Sequence, residues 1–309
     1  MGRVSGRSVL LSLLTLVSFS TRFSFLGLEG CRCNSVDDHD LPAPPPPSAA
    51  APPPSAIATP PSIDAFKADE CGPDIGGIES IASAPAVVLG ELHGLAAAPA
   101  FTGDLACRLA FSRLGEGVTL ALEIPSIEQG RFDVFLASEG RTADRAALTT
   151  GEFWTGTRDG RSSMARLDLI ERVRQLNRRG ANIRLRAIDG GTSRDEAMAK
   201  RVIAAVNEKR GPVIVLVGNL HAQARPNGNQ KWMGEFVREA VPGVVTLDNR
   251  YADGEAWTCS PECGRHPVKA RDAETDGHWR IELKPELGGY SGVWRIGTAR
   301  ASEPAVPSK

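Results

Sequence analysis

Ala86-Val87-Val88-Leu89-Gly90-Glu91-Leu92-His93 and Val213-Ile214-Val215-Leu216-Val217-Gly218-Asn219-Leu220-His221 repeat one pattern: an apolar run, a glycine, and a histidine three residues later. Each run is short, continuous and rich in β-branched residues, as suits a strand buried on both faces. Strands of that kind belong to parallel sheets covered by helices. The glycine frees the backbone where the chain leaves the strand. An imidazole three residues on then turns back over the end of the sheet.

The neighbouring segments extend this reading. Val118 to Leu122 is a second buried strand, and Pro99 to Leu114 between them has helical spacing at Leu105, Leu109 and Phe111. Met164, Leu167, Ile170, Val173 and Leu176 form an amphipathic stripe that stops at Gly180, after the basic pair Arg178 and Arg179. Ile183 to Ile188 is a third strand. Arg194 to Lys209 is a helix stopped by Gly211-Pro212, and a helix at Met233 to Ala240 precedes a strand at Val244 to Leu247. Such alternation predicts an α/β fold with a mostly parallel central sheet flanked by helices. His278 to Leu283 and Gly292 to Ile296, joined through Gly288-Gly289, are expected to add a C-terminal antiparallel strand pair.

In open α/β sheets, ligands sit at the carboxyl ends of the strands. Those ends carry Glu91 and His93, then Glu123, then Asp189, then His221. Only 5 histidines exist in the chain, so two in the same topological place point to a shared cleft. Glu91, His93, Glu123 and His221 are therefore the candidate catalytic set. Two imidazoles and a carboxylate also make a ligand set for a divalent metal, with His93, Glu123 and His221 as the ligands. The alternatives are structural. Glu123 pairs with an arginine, Asp189 caps the helix that begins near Arg194, and Arg184 and Arg186 either bind an anion or mark an edge strand.

With 36 basic against 37 acidic residues, nothing argues for nucleic acid as a partner. Residues 1–30 read as a signal peptide: Arg3 and Arg7 precede an apolar run from Val9 to Phe19, too short to span a bilayer. Leu28-Glu29-Gly30-Cys31 resembles a lipobox, although Glu29 and the preceding Arg22 are unusual there. The expected location is the cell envelope as a lipoprotein, or the periplasm or exterior after ordinary cleavage near Gly30. Residues 31–70 read as a disordered stalk, since Leu41 to Pro61 holds ten of the 22 prolines. Residues 71–300 form a single α/β domain, and 301–309 a disordered tail. Cys71, Cys107, Cys259 and Cys263 fit disulfides in an oxidising compartment, with three pairings open. A metal site at Cys259, Cys263 and His266 is the alternative for the last pair.

Val88 to Gly94, Leu122 to Pro125, Arg194 to Ala199 and Val217 to Ala222 together resemble a superfamily. It joins erythromycin-esterase-like proteins, the haem-uptake ChaN family, the Tiki proteases and the TraB/GumN proteins. The resemblance spans about residues 80–250. It implies the hallmark histidines and glutamates in one cleft, with Arg194 pointing into it. It does not fix the activity: its branches include esterases that open macrolide rings, metal-dependent proteases, and haem-binding lipoproteins. No haem-ligand tyrosine carries over, Tyr251 and Tyr290 being the only 2 tyrosines.

The expected function is thus hydrolysis of an ester or amide in a small-molecule or peptide substrate, through Glu91, His93, Glu123, Arg194 and His221, with or without a divalent metal. The alternatives are a lipoprotein that binds haem or an iron-linked ligand without catalysis, and a structural envelope protein with a relic site.

Overall fold

Alternation of apolar side chains in the central strands divides the core into two layers. Val87, Leu89, Ile214 and Leu216 face one side of the sheet; Ala86, Val88, Val213, Val215 and Val217 face the other, all of them buried. The computed structural model describes residues 67–225, 230–271 and 277–307. The signal peptide, lipobox and most of the expected stalk lie outside these residues, as do Ser308 and Lys309.

Along the chain the elements are β1 (Ala86–Glu91), α1 (Ala97–Ser112), β2 (Val118–Pro125), α2 (Gln129–Ala137), α3 (Thr142–Leu148), α4 (Glu152–Gly156), α5 (Met164–Arg178), β3 (Ile183–Asp189), α6 (Arg194–Asn207), β4 (Val213–Gly218), α7 (Asn219–Ala222), α8 (Met233–Ala240), β5 (Val245–Cys259), β6 (Cys263–Val268), β7 (Arg280–Leu287) and β8 (Tyr290–Ala299). One 8-stranded sheet runs in the order β3-β2-β4-β1-β5-β8-β7, and β6 pairs with β5. Its first five strands are parallel, as is the β5–β8 pairing. The C-terminal pair β7–β8 is antiparallel, as expected. Among the described residues no helix is long and apolar enough to cross a membrane.

α1 and α5 pack on one face of the sheet, and α6 and α8 on the other. The Ser163 side chain accepts a hydrogen bond from the Arg166 amide and so caps α5. After Arg178 the chain turns through Gly180 at φ 97°, the left-handed stop its sequence predicts.

Cys71 bonds Cys107 and Cys259 bonds Cys263. The first closes a loop of 36 residues, a constraint worth about 4 kcal/mol in the chain-entropy model. The second takes both sulfurs that a Cys259–Cys263–His266 metal site needs, so that reading is corrected. β5 also runs well past Leu247 to Cys259, because β8 and β6 pair along its length. Helices α2 to α4 have little apolar periodicity and were not legible in the sequence. Arg184 and Arg186 sit on β3, the last strand of the sheet path. They reach Thr119 and Glu208, which settles them as edge-strand residues.

The C-terminal segment corrects another expectation. In place of a disordered tail, the backbone from Ala301 to Val306 is tied down. Ser302 is 5% exposed, and bridges link Leu95 to Ala301 and Ser163 to Pro304. The segment is short and polar, so composition carries no trace of these backbone bonds.

Candidate active site

The sheet order places β3, β2, β4 and β1 side by side, so their carboxyl ends share one edge. His93, Glu123, Arg194 and His221 line one cleft of about 240 Å³ there, with Asp159, Arg161, Gly218, Asn219 and Leu220. Glu91 lies just beneath it, 2% exposed, and Glu123 is 1% exposed. The expected site residues are thus brought together.

His93 is held between two carboxylates. Its Nδ1 lies 3.0 Å from Glu91 Oε1 and its Nε2 3.4 Å from Glu123 Oε2. Ionised carboxylates only accept, so both ring nitrogens donate and the ring is an imidazolium. Burial works against that charge, but attraction and hydrogen bonds from Glu123 and Glu91 outweigh it and raise its pKa to about 9. Burial likewise opposes the charge on Glu123. There the charge of His93, its hydrogen bond and the Gly218 amide prevail. They hold Glu123 far below the usual carboxylate range.

Glu123 is also the hub for the cations. Its Oε2 accepts from the Gly218 amide at 2.6 Å. Its Oε1 accepts from Arg194 Nη2 at 2.5 Å and from Arg161 Nη1 at 3.5 Å. Asp189 holds the same two guanidiniums, Arg194 Nε at 2.6 Å and Arg161 Nη1 at 2.9 Å. It is therefore part of the site, and α6 takes no side-chain cap from its preceding residues.

His221 is the other tautomeric case. Arg194 Nη1 lies 3.0 Å from its Nε2. A guanidinium only donates, so Nε2 accepts and the proton sits on Nδ1. Nδ1 then donates to Asp195 Oδ1 at 2.7 Å, and the Met233 amide fixes the same oxygen at 2.9 Å. Trp232 stacks edge-on to the ring with centroids 5.7 Å apart. The result is an aspartate–histidine pair whose Nε2 faces the cleft.

Sequence reasoning missed Arg161, Asp195 and Arg166. Asp195 stood beside Arg194 but read as an ordinary acidic first-turn residue. Arg166, 1% exposed, ion-pairs with Glu91 from the first turn of α5. Arg161 lies in an irregular loop, where Gly160 was the available signal. Gly160 has φ 90°, and a Cβ there would fall 2.5 Å from the Gly94 amide nitrogen. Only glycine lets this loop approach the backbone after β1.

Gly218 has a comparable reason. A Cβ there would lie 2.9 Å from His93 Nε2, and that ring cannot swing away from its two carboxylates. Gly218→Ala is expected to displace the His93 ring and shift its ring N–H resonances while the melting temperature moves by only a few degrees. Unchanged resonances would show that the ring is free to move.

The proposed ligand set of His93, Glu123 and His221 does not fit a divalent metal. The Arg194 guanidinium stands between Glu123 and His221, and Arg161 and the His93 imidazolium crowd the same carboxylate. A dication there would face three positive groups. Among the described residues, no cluster of His, Cys, Asp and Glu is arranged to hold a metal ion.

No family model matches the chain, and no curated protein matches it in sequence. A solved succinoglycan biosynthesis protein superposes with a TM-score of 0.51 at 11% identity, over 78% of this chain and 97% of that one. The two share a fold. An erythromycin esterase in its open conformation matches with a TM-score of 0.39 at 12% identity, over 74% of this chain and 94% of that one. The haem-binding ChaN of Campylobacter jejuni gives 0.35 at 12% identity, over 56% and 84%. At 11% identity the first likeness concerns the fold alone, and the chemistry rests on the residues themselves.

Proposed function

We propose that the protein is an exported hydrolase of ester or amide bonds in a small-molecule or peptide substrate. The observation that carries this reading is the Asp195–His221 pair, oriented with its Nε2 toward a cleft that also holds His93, Arg161 and Arg194, each paired with a carboxylate. That is the arrangement of a general base facing its electrostatic stabilisers. Substrate binding draws Arg194 onto the scissile carbonyl oxygen and frees His221 Nε2. Water then attacks the carbonyl carbon and gives its proton to His221. Arg194 and Arg161 stabilise the negative charge that develops on the oxygen. The bond to the leaving group breaks as His93 protonates the departing oxygen or nitrogen. Glu91 and Glu123, both buried, hold His93 in its charged form rather than activating water themselves.

The cleft volume of about 240 Å³ suits the reacting group of a substrate whose remainder lies outside. The two disulfides support export to an oxidising compartment, and a lipid anchor at Cys31 belongs to the same proposal.

The test is turnover of p-nitrophenyl esters and p-nitroanilides between pH 5 and 10. The expected result is turnover that declines as pH rises through about 9, where His93 loses its proton. Stability follows the same sign. The raised pKa of His93 stabilises the fold below its ordinary value of 6.5, and that contribution is lost as pH rises through about 9. The lowered pKa of Glu123 adds stability above the ordinary carboxylate value, lost as pH falls below it. No turnover of any ester or amide overturns the reading; turnover with a flat profile to pH 10 removes His93 from the role of acid.

A further inference from the structure

Two stretches that supply or support part of the cleft are the turn after His93 and the loop of Arg161, which runs on into the first turn of α5, whose Arg166 holds Glu91. Both are tied to the segment Arg300 to Val306. The Ala96 amide donates to Arg300 O and the Ser302 amide to Gly94 O, both at 2.8 Å, which fixes the turn after His93. The Met164 amide donates to Glu303 O at 2.7 Å and the Ala165 amide to Ser302 Oγ at 2.9 Å. These bonds satisfy two first-turn amides of α5 that have no partner within the helix. The Ala305 amide donates to Ser162 O at 2.8 Å, and Arg158 Nη1 to Val306 O at 2.6 Å. Those two hold the Arg161 loop from either side.

We propose that Arg300 to Val306 is a strap that sets the spacing between His93, Arg161 and the Arg166–Glu91 pair, with Ser302 as its positioning residue. The proposal rests on the hydrolytic reading above for its kinetic consequence, though not for its geometry. Ser302 touches neither substrate nor reacting atoms. It joins two site segments at once, its amide bound to the turn after His93 and its hydroxyl to the start of α5. The strap adds no charge to the cleft, so its effect is on geometry alone. Displacing catalytic groups by about 1 Å costs on the order of 100-fold in turnover.

The experiment compares the full chain with a chain ending at Arg300, a control ending at Pro307, and the single variants Ser302→Ala and Ser302→Thr. Two readouts are taken: kcat and KM on p-nitrophenyl acetate, and the ring N–H resonances of His93 in 15N-labelled protein. The expected results are a kcat lower by roughly 100-fold for the chain ending at Arg300, with KM nearly unchanged and the two His93 ring resonances lost. Ser302→Ala falls in the same direction, Ser302→Thr keeps the hydroxyl and restores it, and the Pro307 control matches the full chain. A chain ending at Arg300 with full kcat and intact His93 resonances overturns the proposal. If that chain fails to fold, the Ser302 pair decides, and equal behaviour of Ala and Thr overturns the positioning role. If the full chain hydrolyses nothing, the hydrolytic reading fails by itself, and the His93 resonances alone judge the strap.

Discussion

His221→Ala is expected to lower kcat by roughly 1,000-fold, the middle of the range for loss of a general base, while the protein stays folded. The side chain is 14% exposed and sits on α7 at the lip of the cleft, so its removal opens no core cavity. The partners it leaves are satisfied elsewhere. Asp195 keeps the Met233 amide, and Arg194 keeps Glu123 and Asp189. The melting temperature should therefore move by only a few degrees. Asp195→Asn should give a smaller loss, because the imidazole remains but the partner that selects its tautomer is weakened. Added imidazole should restore part of the His221→Ala activity, as it can occupy the vacated space beside Arg194. An His221→Ala protein within threefold of wild type would show that water is activated elsewhere in the cleft.

The parts of this site that the sequence revealed are those fixed by backbone periodicity. β1 and β4 are unbroken apolar runs, so their ends, and the histidines three residues beyond Gly90 and Gly218, could be placed by counting. Glu123 and Asp189 followed from the same rule on β2 and β3. What counting cannot give is which side chains cross the cleft to meet them. Arg161 comes from a loop without periodicity, and its role depends on the close approach of Gly160 to Gly94. Arg166 reads as one more polar position on an amphipathic helix. Its burial against Glu91 appears only when α5 packs beside α1 on the sheet and Arg166 reaches the end of β1. The metal expectation failed for the same reason. Two histidines and a glutamate are a ligand set only if no cation lies between them, and Arg194 does. The strap was invisible because backbone hydrogen bonds leave no mark on composition.

Glu91→Gln and Arg166→Met are each expected to destabilise the domain by about 3–5 kcal/mol, the usual effect of removing one partner of a buried ion pair. At this domain size that is a fall of roughly 10 °C in melting temperature. Arg166 is 1% exposed and Glu91 2%, so the survivor in either variant is a polar group with no access to water. Arg166 Nε and Nη1 already lack hydrogen-bond partners, which makes the guanidinium costly to bury even when paired. The double variant Glu91→Gln/Arg166→Met should therefore lose less than the sum of the two single losses, the signature of direct coupling. The same variants should move the alkaline limit of turnover in opposite directions. Glu91→Gln removes one of the two carboxylates that raise the pKa of His93, so the limit falls below about 9. Arg166→Met removes the cation that competes with His93 for Glu91 Oε1, so the limit rises. Stability alone cannot produce opposite shifts, because both single variants lower it. Shifts of the same sign, or none, would mean that Glu91 supports the fold without setting the charge of His93, and that Glu123 alone holds the imidazolium.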